Sequence, residues 1–168
     1  MKLRSSILAL GMLVGIGGCQ VAPGQYVIIR VANAETAESD SCYIDNVVPD
    51  GEKDDRTDFR TGGSIAIFAA DSETYFLESD NMGVATSIEG TRDGGDYSFS
   101  GEDIDVEAEY TITTTVDVDL TIKNKSVIGS SVWTQQCSGN NCPVLPSCVR
   151  TTDFVGTIVN GVELEHGV

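Results

Sequence analysis

The run Ile104-Asp105-Val106-Glu107-Ala108-Glu109-Tyr110-Thr111-Ile112-Thr113-Thr114-Thr115-Val116-Asp117-Val118-Asp119-Leu120-Thr121-Ile122 alternates with a period of two. Every even position is apolar except Thr114, and every odd position is Asp, Glu or Thr. Successive side chains of a strand point to opposite faces. The pattern therefore predicts one buried and one wetted face, as an antiparallel sheet over a core requires. At about 3.3 Å per residue the whole run would reach about 60 Å, far beyond an ordinary strand. A bend, bulge or turn near Glu109–Thr113 is therefore expected to divide it.

Downstream, Lys123-Asn124-Lys125-Ser126 reverses the chain, because Asn124 tolerates the left-handed conformation that a tight hairpin needs. A two-residue turn at Asn124-Lys125 would set Ile122 opposite Val127 and Val116 opposite Trp133, placing the sole tryptophan on the core face. Val127–Gln136 and Val149–Ile158 read as the last long strands. Upstream, the Arg92-Asp93-Gly94-Gly95 segment is a hairpin signal between Gly83–Glu89 and Asp96–Gly101. Before it come Tyr26–Val31, Ser64–Ala70 and Thr74–Leu77, with residues 32–62 expected as a long acidic loop. No segment of the mature chain has a helical period. The class is all-β: an antiparallel up-and-down meander of about eight strands, which closes into a barrel and so removes exposed edges. A β-sandwich is the alternative. This strand layout resembles that of calycin-type barrels, the lipocalins and small bacterial lipoproteins built on the same plan, although the Gly-x-Trp signature of lipocalins is absent. The resemblance implies either a binding domain or a carrier of a small apolar ligand held inside the barrel, near Tyr110 and Trp133. A core filled by its own side chains is the simpler expectation for eight strands.

The N-terminus carries a different signal. Lys2 and Arg4 precede the apolar run Ile7-Leu8-Ala9-Leu10-Gly11-Met12-Leu13-Val14, too short for the ~20 residues of a membrane-spanning helix. Ile16-Gly17-Gly18-Cys19 follows. These four residues resemble the lipobox of bacterial lipoproteins, which implies cleavage before Cys19 and lipid on its sulfur. Residues 1–18 are then a signal peptide, 19–25 the lipidated cysteine with a short tether, and 26–168 a single β domain. Two or three acyl chains hold a protein stably on a bilayer. Gln20, where aspartate would favour inner-membrane retention, points by the same resemblance to the outer membrane of the cell envelope.

Cleavage removes two of the 10 basic residues and none of the 26 acidic ones, leaving a formal mature charge of −18. Such a surface repels nucleic acid and attracts basic partners. Besides Cys19 the chain has Cys42, Cys137, Cys142 and Cys148. An even number in an exported domain predicts two structural disulfides, and the spacing does not suit zinc. Three pairings are open. Closing the loop Ser138–Asn141 favours Cys137–Cys142 with Cys42–Cys148, and Cys137–Cys148 with Cys42–Cys142 stands beside it.

Little in the sequence speaks for catalysis. The only histidine is His166, third from the end, and no nucleophile elbow, zinc-protease or phosphate-loop motif occurs. A non-enzymatic protein without a cofactor is the expectation. Asp50-Gly51-Glu52-Lys53-Asp54-Asp55-Arg56-Thr57-Asp58 offers hard oxygen ligands to calcium, but the EF-hand spacing fails and Lys53 and Arg56 offset its charge. A solvated loop is the plainer reading. The wet positions Asp105, Glu107, Glu109, Asp117 and Asp119 form a candidate docking face for a basic protein. The same acids would also serve simply to keep that face soluble.

Overall fold

The computed structural model describes residues 21–43, 61–79, 87–142 and 147–160. Within them the chain forms β1 (Tyr26–Glu38), β2 (Thr61–Ala69), β3 (Tyr75–Glu78), β4 (Ser87–Asp93), β5 (Asp96–Val106), β6 (Tyr110–Lys123), β7 (Ser126–Gly139) and β8 (Ser147–Ile158). One turn of 3-10 helix at Asp40–Cys42 follows β1. Each strand pairs antiparallel with the next, and β8 pairs back onto β1, so the meander closes into a barrel. Closure leaves no sandwich.

The predicted hairpins are present. Asn124 adopts φ 59°, and the β6–β7 register sets Ile122 opposite Val127 and Val116 opposite Trp133. Gly94, at φ 61°, makes the β4–β5 turn, with Asp93 opposite Asp96. At the β2–β3 turn the Asp71 carboxylate accepts the backbone N–H groups of Glu73 and Thr74, at 2.8 and 2.7 Å. Asp71 is thereby held below its ordinary carboxylate value, first by the Glu73 N–H and then by that of Thr74.

The three hairpin turns lie at one end of the barrel, here termed the lysine end after Lys123 and Lys125. The core fills this end. Ile29, Ile67, Leu77, Tyr97 and Val127 are each under 2 % exposed, with Ile88, Phe99, Val118, Leu120 and Phe154 packed among them. A fully buried aliphatic or aromatic side chain contributes on the order of 1.5–3 kcal/mol. At the opposite end β5 to β8 run 11–14 residues, whereas β2 to β4 have 4–9. The inward positions there become more polar: Thr114 faces Gln135, and Arg150 lies 5.7 Å from the centre of the Trp133 ring. Disulfides supplement packing at this end. Cys42–Cys148 ties the 3-10 turn to β8, and Cys137–Cys142 closes the loop after β7, with Cα separations of 4.4 and 6.0 Å. This is the pairing that the short loop favoured.

Several boundaries differ from the sequence reading. β1 continues to Glu38 instead of ending at Val31, because residues 32–38 pair with Arg150–Val155 across one register shift. β4 is described from Ser87, and residues 83–86 lie outside the described set. Asp96–Gly101 and Ile104–Val106 are one strand, β5, so the long alternating run divides at Glu107–Glu109. Residues 21–25, expected as tether, instead lie on the barrel. Val21 is 3 % exposed in the core, the Gly24 N–H donates to the Ala69 carbonyl at 2.7 Å, and the Gln25 carbonyl accepts from the Ala69 N–H at 3.3 Å.

One correction concerns the faces. The β5–β6 register pairs Tyr97 with Leu120, Phe99 with Val118 and Val106 with Thr111 without interruption. Inward residues are therefore odd-numbered in β5 and even-numbered in β6. Ile104 and Val106, expected in the core, stand on the outer face, 54 % and 71 % exposed.

Candidate functional site

The phase change separates the five acids expected on one docking face. Asp117 and Asp119 are on the outer wall of β6, exposed. Asp105 is opposite Ile112 on the inward side, near the disulfide end. Glu107 and Glu109 belong to the β5–β6 turn, where the Glu107 N–H donates to the Tyr110 carbonyl at 2.9 Å. Glu109 is tied to the cysteine loop: its carboxylate accepts from Asn141 Nδ2 at 2.6 Å, and its carbonyl accepts from the Asn140 N–H at 2.8 Å.

Asp117 and Asp119 instead join two acids that the sequence reading did not select, Asp96 and Asp153. The ladders align three rows across β5, β6, β7 and β8 on the outer face. They are Asp96–Thr121–Ile128–Val155, Ser98–Asp119–Ser130–Asp153 and Ser100–Asp117–Val132–Thr151. No acid is directly opposite another in these rows. Each β5–β6 pair joins a hydroxyl to a carboxylate: Thr121 Oγ1 donates to Asp96 and Ser98 Oγ to Asp119, both at 2.6 Å, and Ser100 Oγ donates to Asp117 at 2.7 Å. These neutral donors fix each carboxylate in place and leave its charge intact. With strands about 4.8 Å apart, Asp119 and Asp153 are about 10 Å apart across β7. That exceeds the Debye length of about 8 Å at physiological salt, so each carboxylate acts mainly on a cationic group brought close to it.

Asp96, Asp119 and Asp153 line a shallow, open trough of about 550 Å³ in this wall, and Asp117 lies one row outside it. Its apolar contribution comes from Ile128, 61 % exposed, and its cross-strand partner Val155, 41 % exposed. Gly129 lies one residue from Ile128, where a Cβ would overlap the Phe154 ring from the inside. The arrangement offers fixed negative charge beside a small apolar patch, which suits a cationic, partly apolar surface. The sequence held a signal for it. Asp96-x-Ser98-x-Ser100 and Asp117-x-Asp119-x-Thr121 each alternate with a period of two, in opposite parity, and the β5–β6 register sets acid against hydroxyl.

Tyr110 and Trp133 are both half-buried, and Trp133 packs against the core as expected. Cys137 and Cys142, and Cys42 and Cys148, are engaged in disulfides. Cys19, the leader, the Asp50–Asp58 loop and His166 lie outside the described residues. Among the described residues, no three His, Cys, Asp or Glu side chains are grouped to hold a metal ion. Compared with known proteins, the chain matches no family model, no curated relative and no solved structure.

Proposed function

We propose that the protein is an outer-membrane lipoprotein of the cell envelope, anchored by lipid on Cys19. Its barrel serves as a non-enzymatic binding domain for a basic protein partner, met on the outer wall of β5–β8. The observation that carries this reading is the set of Asp96, Asp119 and Asp153 beside exposed Ile128 and Val155, extended one row further by Asp117. The mature charge of −18, from 8 basic and 26 acidic residues, supports it. Packing of the lysine end by Tyr97, Phe99 and Leu120 favours docking on the wall over carriage of a ligand inside.

Two measurements test the two halves of the proposal. Cross-linked pull-downs from envelope extract, with the full-length protein as bait, should retain a basic protein. The Asp117→Asn/Asp119→Asn double variant should lose it while its circular dichroism stays unchanged. Retention should also fall as salt rises from about 50 to about 300 mM, because the attraction is screened. An identical bound set for both baits would overturn the docking face. Separately, Cys19→Ser should leave the membrane fraction with its barrel intact. Fractionation identical to the wild type would remove the anchor from the account.

A further inference from the structure

The N-terminal segment does more than connect the barrel to its start. Val21 is 3 % exposed within the core, and the Gly24 and Gln25 backbone bonds to Ala69 fix the chain at the lysine end. Cys19 precedes Val21 by two residues, and consecutive Cα atoms are 3.8 Å apart. The sulfur-bearing residue is therefore within about 8 Å of a residue locked into that end of the barrel. A lipid so placed leaves the domain almost no freedom to turn over.

Charge divides along the same axis. The β4–β5 and β6–β7 turns bring Arg92, Lys123 and Lys125 to the lysine end, beside Asp71, Glu73, Asp93 and Asp96. Among the described residues that end is close to balanced. Arg92 also caps the interior there, its guanidinium 5.5 Å from the centre of the Tyr97 ring and its Nε donating to the Gly94 carbonyl at 2.6 Å. Toward the other end, Glu102, Asp103, Asp105, Glu107 and Glu109 are all exposed, and among the described residues of β5 to β8 there only Arg150, over the Trp133 ring, offsets them. An anionic bilayer surface repels this acidic end far more than the balanced one.

We propose that the lysine end is a membrane-apposed surface, with the Lys123-Asn124-Lys125 turn against the lipid headgroups and the Glu102–Glu109 end directed away. This orientation rests on the lipid anchor at Cys19 proposed above. It goes beyond the anchor in fixing which end of the barrel meets lipid. It also turns the trough sideways, with Asp96 and Ile128 at its membrane-proximal edge.

The test uses full-length lipoprotein on vesicles of phosphatidylcholine with phosphatidylglycerol, beside a variant with ten Gly/Ser residues inserted between Gln20 and Val21. Mass spectrometry of the N-terminal peptide first reports lipid on Cys19 in both. An amine-reactive, membrane-impermeant reagent should then modify Lys123 and Lys125 at least about fivefold more slowly in the natural protein than in the insertion variant. Carbodiimide labelling of Glu107 and Glu109 should proceed at the same rate in both. Equal lysine rates with lipid present on Cys19 would overturn the orientation and leave the anchor standing. Protection of Glu107 and Glu109 instead would show the reverse orientation. An unmodified Cys19 would overturn both the anchor and the orientation.

Discussion

Gly90 shows how tightly single positions are set in the barrel wall. It is opposite Phe99, and a Cβ there would overlap the Phe99 ring and the Ser98 carbonyl oxygen. The ring is 2 % exposed and cannot retreat into solvent. Gly90→Ala should therefore destabilise the barrel by about 1–3 kcal/mol, as overpacking of a filled core does. Urea unfolding would show a lower midpoint with an unchanged slope. Asp71 is set by charge, not by space. Its carboxyl is depressed because the charged form accepts the Glu73 and Thr74 N–H groups. Its contribution to the β2–β3 turn is thus present above the ordinary value of 3.8 and is lost as pH falls through the lower folded value. The Glu73 and Thr74 amide resonances should titrate with a midpoint below 3.8. A midpoint at or above that value would show that these bonds do not hold in solution.

The hairpins are where local sequence and strand register meet. Asn124 sits at φ 59°, a conformation that costs a β-branched residue about 1–2 kcal/mol and glycine nothing. Asn124→Val should lower the unfolding midpoint, whereas Asn124→Gly should leave it within about 0.5 kcal/mol of the wild type. Equal effects of the two would mean that the turn relaxes around either side chain. This hairpin was legible because Asn-Lys fixed the turn length, and turn length fixes register. The β5–β6 hairpin was not. Residues 107–110 form an even-numbered connection between the Val106–Thr111 pair, so the inward parity reverses across it. A run that alternates in unbroken phase through such a turn must expose the apolar residues of one strand. Tyr97 and Phe99 decide which, since both are buried and both are odd-numbered. Ile104 and Val106 are then carried outward, and Asp105 inward. Periodicity alone counted the strands well, but it could not locate a turn that leaves the pattern intact. The same loss of phase explains why Asp105 was grouped on one face with Asp117 and Asp119 while Asp96 was not; Asp153, on β8, lies outside the alternating run.

Across the whole molecule, the two ends are held by different forces, and this makes the disulfides unequal. The lysine end has the packed cluster from Ile29 to Phe154, whereas the opposite end has half-buried Trp133 and Ile112 with polar neighbours. Cys42–Cys148 spans a sequence separation of 106 residues, and Cys137–Cys142 spans 5. Loop-closure entropy removed from the unfolded chain scales with the logarithm of that span, about 4.7 kcal/mol for the long loop and about 2 kcal/mol for the short one. The long bridge also fastens the Asp40–Cys42 turn to β8, beside the strand position where Arg150 covers Trp133. Cys42→Ser/Cys148→Ser should therefore lower stability by more than Cys137→Ser/Cys142→Ser, by about 2–3 kcal/mol. Trp133, the only tryptophan, reports on this end directly. In the first variant its emission should shift to the red under native conditions while the far-ultraviolet signal of the barrel persists, because the lysine-end core does not depend on that bond. If the two variants lose stability equally, or if barrel and tryptophan signals are lost together, the two ends form one cooperative unit and this division of labour is wrong.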